Sequence, residues 1–242
     1  MNGIIKSRRF WDSVRITHDD QGYQILLDER PVKLPKKTTL YVQSESLAKK
    51  IAAEWEKAGE KKGDPFSFDL LPITRIVGTM IEKIAPARET YIHALLPYVN
   101  GDLLCYHTDT PKTLATRQQE QWMPLVQWTE ERFNIKLKIQ HGIMPITQTE
   151  EVIAFFKDYL SNLNDTELTY FAVTVPLLGS IFLTIALKEG RLSVEQAFEA
   201  AHLDEIVQAE LWGQDTEQQE KLAQVKIDIQ DAFEFYSISQ NK

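Results

Sequence analysis

His202 and Glu205 stand three residues apart in the run SVEQAFEAAHLDEIVQAELWG, residues 193–213, a spacing that puts both on one face of a helix. An imidazole and a carboxylate so placed could share a metal, or the carboxyl could act as a general acid with its pKa raised by burial. The metal reading needs a second such pair and further inward acids. The other histidines, His18, His93, His107 and His141, supply no second Glu-x-x-His, and His precedes Glu here. No metal and no cofactor are therefore expected. For the acid reading, nothing in the pattern supplies Glu205 with a catalytic partner, so an enzyme using Glu205 as general acid or base stands as an alternative only. Cys105 is the single cysteine and has His107 two residues on, but a buried structural thiol is the simpler account. Neither a GxGxxG nor a GxxxxGK phosphate loop is present, and no GxSxG nucleophile elbow.

The element that must position these residues is a helix over 193–213. Ser193 is a good N-cap, Gln196 completes a capping box, and Gly213 follows the last periodic residue. On an ideal helix Val194, Ala197, Phe198 and Ala201 form one apolar stripe, and Leu203, Ile206, Val207 and Leu211 a second, nearly opposite. Such a helix is expected at the centre of the fold with neighbours on both sides. Glu205 falls on the first stripe where an apolar side chain is due. Burying an unpaired carboxylate costs on the order of several kcal/mol, so Glu205 must find a partner, reach the surface or be functional. Asp204 reads as part of a solvated face; Glu210 neighbours Leu203, Ile206 and Val207.

The whole composition narrows the class. At 242 residues, 43% hydrophobic and 26% charged, the chain is an ordinary globular protein of one or two domains. A net charge of −8 argues against nucleic-acid and anionic-membrane partners, and the acidic surface gives no reason to expect a stable oligomer, so a monomer is expected. One cysteine excludes an intrachain disulfide and fits a reducing compartment. No apolar signal segment opens the chain, which points to a bacterial cytoplasm. Residues 168–187 carry no charge and are long enough to span a bilayer, but Pro176, Gly179 and four hydroxyl residues interrupt them. They are expected to form two buried helices, or one kinked at Pro176, with no membrane insertion.

In chain order, 14–17, 23–27, 30–33 and 40–42 read as short strands joined by turns, and 44–58 as a helix covering them through Leu47, Ala48, Ile51 and Trp55. A helix over 73–84 leads to a junction at 83–87, where Pro86 blocks continuation. Beyond it the pattern is helical: 87–98, a short element at 102–107, 114–133 bent at Pro124, 149–160, the apolar stretch, 193–213, and 216–237 burying Leu222, Val225, Ile229, Phe233 and Tyr236. Residues 135–140 alternate like a strand. This is an α+β chain, with an N-terminal domain of β-meander and helix at 1–84 and a mainly helical domain at 85–242.

Several blocks resemble one family, the assembly chaperones that attend the α subunit of the F-type ATP synthase (the ATP-twelve family). Arg9-Phe10-Trp11 with Leu27-Asp28-Glu29-Arg30-Pro31-Val32 is similar to its opening, and Leu47-Ala48 with Ala53-Glu54-Trp55 to its first helix. Leu71-Pro72-Ile73-Thr74, Asp102-Leu103-Leu104-Cys105-Tyr106, and Gln118 with the segment from Trp122 to Trp128 resemble its middle motifs. Gly179-Ser180 and the block Leu203-Asp204-Glu205 with Gln208 and Trp212-Gly213 complete the series. Leu34-Pro35 stands where the family commonly has Thr-Pro, and Ala58 where a Gln is common. The resemblance implies a small α/β domain joined to an orthogonal helical bundle, in an alphaproteobacterial protein. It implies a job without catalysis: binding the unassembled α subunit, preventing its aggregation and releasing it to the β subunit. The motif match sets the family's critical acidic residue at Glu205. With Glu210, the expected partner-binding residues are Asp204, Glu205, Gln208, Glu210 and Trp212. A generic protein-binding scaffold is the remaining alternative.

Overall fold

The computed structural model describes residues 7–142, 144–213 and 215–240. The chain is α+β and divides into two compact units, Met1–Ala87 with Glu234–Lys242, and Arg88–Phe233.

The first unit opens with strands β1 (Ser7–Arg8), β2 (Val14–Asp19), β3 (Gly22–Leu27), β4 (Arg30–Pro31) and β5 (Tyr41–Val42). Helix α1 (Glu45–Lys57), strand β6 (Pro65–Phe66) and helix α2 (Pro72–Thr79) follow. β2 and β3 form an antiparallel hairpin with Val14 opposite Leu27, and β4 and β5 both pair with β3. Its turn depends on Gly22, at φ +116°, where a Cβ would meet the Val42 carbonyl oxygen at 2.7 Å. Ser44 caps α1 by accepting from Leu47 N at 3.3 Å, and the helix buries Leu47, Ala48, Ile51 and Trp55 as the spacing predicts. These pack with Trp11, Ile25, Leu27, Phe66 and, from the end of the last helix, Phe235. Arg9 explains the opening signature: its Nη1 donates to the Glu56 and Gly59 carbonyls at 2.7 and 2.8 Å, where α1 leaves acceptors unsatisfied.

The helix predicted over 73–84 is regular only to Thr79; Met80–Ile84 widens into a π turn and Ala85–Ala87 tightens into a 3₁₀ turn. Pro86 has no N–H to continue the ladder. At the other end α2 has no cap of its own. Glu54 of α1 supplies one, accepting from Ile73 N at 2.7 Å, Thr74 N at 2.9 Å and Thr74 Oγ1 at 2.7 Å.

The second unit holds α3 (Arg88–Leu95), α4 (Pro97–Asn100), β7 (Tyr106–His107), α5 (Lys112–Gln121), α6 (Met123–Phe133) and β8 (Gln140–His141). It continues with α7 (Glu150–Asn162), α8 (Asp165–Leu178), α9 (Ile181–Lys188), α10 (Val194–Ala201), α11 (Leu203–Trp212) and α12 (Thr216–Gln240), whose end from Glu234 belongs to the first unit. The predicted bent helix over 114–133 is two helices meeting at Trp122, because Pro124 cannot bond back to the preceding turn and instead opens α6. The predicted strand over 135–140 is reduced to β8, parallel to β7. Leu137 N donates to the Glu130 carboxylate at 2.8 Å and Lys138 N to Gln148 Oε1 at 2.9 Å, so side chains take the place of a neighbouring strand.

The uncharged stretch forms two buried helices, α8 and α9, separated by Gly179 in the left-handed region at φ +61°. No helix among the described residues is long and apolar enough to cross a membrane. α9 is the central helix of this unit, with every residue from Ile181 to Leu187 buried. The run 193–213, expected to be central, is instead broken. At His202 (φ −112°, ψ 26°) α10 stops and α11 begins. The two apolar stripes belong to two short helices, each burying one: Val194, Ala197 and Ala201 in α10, Leu203 and Val207 in α11. A helical wheel drawn through the break carries no information about which way Glu205 faces. The last helix also departs from expectation, since of its five predicted core residues Ile229 alone is fully buried, joined by Ala232 and Phe235. Apolar residues lie on several of its sides, so periodicity selects no single stripe.

Candidate functional site

The break at His202 is held from α5. Trp122, fully buried at the end of α5, donates its indole Nε1 to the Ala200 carbonyl at 2.9 Å, one of the acceptors that α10 leaves open at its end. Gln118, one turn earlier and also buried, accepts from Thr108 N at 2.8 Å and donates to Asp204 Oδ1 at 3.3 Å. Arg117 grips Glu210 with two parallel bonds of 3.0 and 2.6 Å. The residue spacing 117, 118, 122 on α5 thus seats α11 along its length.

The five expected partner residues divide accordingly. Asp204 and Glu210 are turned to α5. Burial pushes the Asp204 carboxyl up, and the Gln118 amide opposes this. Glu205, Gln208 and Trp212 share another side of α11 at helical spacing. Glu205 is partly open, its side chain 40% exposed, and lies 3.8 Å from His202 Nδ1, beyond hydrogen-bond length. The imidazole beside it holds the Glu205 carboxyl below the ordinary carboxylate range. His202 packs against Phe198, the rings tilted at 45° with centroids 4.8 Å apart, and buries both ring nitrogens without a hydrogen-bond partner. Placing Asp204 and Glu205 in the first turn of α11 also suits the helix dipole.

Gln208 is exposed, and the helix ends on Leu211 and Trp212, 48% and 76% exposed. A large indole that open is unusual beside acids, since aromatic surface is ordinarily withdrawn from water. A cleft of about 240 Å³ runs from Glu205, Ile206 and Ala209 towards Gln218 and Leu222 of α12. The site is therefore acidic and apolar side by side, an exposed helix end beside a shallow cleft. Among the described residues no group of three His, Cys, Asp or Glu is placed to hold a metal ion. Cys105 is buried, its thiol pushed up by desolvation, and His107 Nε2 is engaged by the Leu104 carbonyl at 3.1 Å.

Pattern reasoning missed the two most constrained acids. Glu54 caps α2, and burial pushes its carboxyl up. Asp102, fully buried, caps α9: it accepts from Ser180 Oγ at 2.7 Å, Ile181 N at 2.8 Å, Phe182 N at 3.2 Å and Leu104 N at 3.0 Å. Burial outweighs those donors and pushes its carboxyl up to about 7. The only sequence signal was that both acids sit inside motifs, each paired with a second motif that turns out to hold the capped helix.

The chain matches the family model described as ATP12 chaperone protein over residues 8–130. It is 27% identical over 217 residues to Protein atp12, mitochondrial, of Schizosaccharomyces pombe, covering 85% of this chain and 74% of that protein. The crystal structure of Atp12 from Paracoccus denitrificans superposes with a TM-score of 0.89 at 34% identity, covering 97% of this chain and 99% of that one. The Atu1473 protein of Agrobacterium tumefaciens gives a TM-score of 0.88 at 32% identity over 96% of this chain and 86% of that one. With half the chain inside the family model and the whole fold shared, this protein belongs to the ATP12 chaperone protein family.

Proposed function

We propose that this protein binds the unassembled α subunit of the F-type ATP synthase, keeps it from aggregating and yields it to the β subunit. In this reading it works without catalysis, as a monomer in the bacterial cytoplasm. The observation that carries it is the exposed end of α11, where Trp212 and Leu211 stand beside the half-open Glu205. A free subunit of an oligomeric enzyme exposes apolar surface meant for its neighbour. An aromatic anchor set among polar groups is the chemistry that covers such a surface reversibly. Glu205 and Gln208 then meet basic or amide groups of the client, while Asp204 and Glu210, bonded to Gln118 and Arg117, keep α11 in place.

Co-expression tests the reading. The α subunit should remain soluble with this protein and lose that protection with Glu205→Lys, while the variant keeps its own melting temperature. An α subunit that stays soluble equally well with wild type, with Glu205→Lys and with no chaperone would overturn it.

A further inference from the structure

The first unit carries a groove of about 390 Å³ whose walls include Val32, Leu34, Trp55 and Thr79. Gly78 belongs to the same wall: a Cβ there would meet Leu34 Cδ2 at 3.0 Å. Three features of this groove bear on what it could hold. First, Trp55 is 7% exposed and its indole N–H is buried without an acceptor. A buried donor left unpaired is costly, and folds rarely tolerate one without reason. Second, Phe68 lines the groove at 43% exposure with its ring edge-on to Phe66 and Trp55, and the turn Phe68–Leu70 buries none of its three side chains. Third, one wall runs into the π turn Met80–Ile84, a helix irregularity frequent at functional sites.

The charge at the rim selects the occupant. Lys33, Arg75 and Lys83 are exposed around the groove. Arg75 is paired with Asp69 at 3.3 Å and the Lys33 ammonium donates to the neutral Thr39 hydroxyl, which leaves the Lys33 and Lys83 charges without a carboxylate partner among the described residues. The one acid among the lining residues, Glu82, has both carboxylate oxygens turned on Lys36 N at 3.0 and 3.2 Å. In a chain of net charge −8, residues 7–87 hold fourteen Lys or Arg against twelve Asp or Glu. The first unit is thus mildly cationic where the second unit's α11 face is acidic.

We infer that this groove is a second client contact, taking a short apolar peptide segment with acidic flanks. An apolar side chain enters between Leu34 and Trp55, and carboxylates meet Lys33 and Lys83. The inference rests on the chaperone reading above and adds to it a contact of opposite charge preference.

The test uses the full chain, ¹⁵N-labelled, and a short acetylated peptide with a Leu-Phe-Leu core and glutamates at both ends; a lysine-flanked peptide is the control. Of the five tryptophan indole resonances, Trp55, assigned through Trp55→Phe, should shift with the glutamate peptide and not with the control. Lys33→Glu with Lys83→Glu should weaken binding at least about tenfold and reverse the preference between peptides. Phe68→Ala, a truncation of a half-exposed side chain, should weaken binding of the glutamate peptide. An unmoved Trp55 resonance, a shift confined to Trp212, or binding indifferent to the charge reversal overturns the groove. Glu205→Lys should leave peptide binding unchanged. Lost client protection in Glu205→Lys together with no peptide binding removes the groove and spares the proposed function; peptide binding at Trp55 with no α-subunit protection does the reverse.

Discussion

Asp102 Oδ1 lies 2.7 Å from Ser180 Oγ, both residues fully buried, and this pair joins two segments nearly eighty residues apart. Ser180 is the N-cap of α9 and Asp102 extends that cap with its second oxygen on Ile181 N and Phe182 N. The central helix of the second unit is therefore capped in part by a carboxylate from outside itself. Anions at a helix N-terminus are favoured by the dipole and by the unsatisfied N–H groups. Here desolvation is the stronger effect, and the carboxyl titrates near neutrality.

That titration gives stability a defined pH dependence. The folded pKa, about 7, exceeds the unfolded value of 3.8, so between these pH values the folded state holds a proton that the unfolded state has released. The contribution is fully present below about 4 and is lost as pH rises through 7; by linkage it spans roughly 4 kcal/mol at most. Urea midpoints measured from pH 5 to pH 8 should fall with rising pH, and Asp102→Asn should remove that slope. A wild-type profile with no fall across this range would contradict the assignment.

Glu54 serves α2 in the same manner. Glu54→Ala strands the Ile73 and Thr74 amides and the Thr74 hydroxyl in a dry site, and should cost about 2–4 kcal/mol in chemical denaturation. Glu54→Gln retains one acceptor and should lose less. Equal losses in the two variants would mean that packing, and not capping, is the role.

Trp122→Phe keeps most of the ring volume but removes the donor to Ala200. The expected loss is about 1 kcal/mol, concentrated where α10 gives way to α11. Amide exchange from Leu203 to Val207 should quicken more than exchange in α9. Uniform quickening across both helices would show that Trp122 acts only through general packing.

Trp212→Ala separates stability from binding. With 76% of the residue exposed, thermal stability should move by no more than about 0.5 kcal/mol. Protection of the α subunit in co-expression should drop sharply, as expected for an aromatic anchor. Retained protection would remove Trp212 from the client surface.

Local chemistry was readable without coordinates. The hairpin strands, the Ser44 and Thr149 caps and the Ser193–Gln196 capping box all follow from side chains acting within a few residues of themselves. So does the α+β character, since period-2 runs precede period-3.6 runs along the chain. The apolar stretch, by contrast, is compatible with two helices or with one kinked at Pro176, and the break at Gly179 is a finding of the structure. What needed the tertiary structure was every relation between distant segments. Glu54 and Asp102 look like surface acids in one dimension because the amides they cap lie 19–20 and 79–80 positions away. The turn at His202 was hidden because a helical wheel presumes one unbroken axis, while the donors that stabilise the turn, Trp122 and Gln118, come from α5. Glu205 was singled out from a stripe that does not continue past that turn. Its half-open position is decided by how α11 seats on α5, a packing relation that no pattern within residues 193–213 can encode.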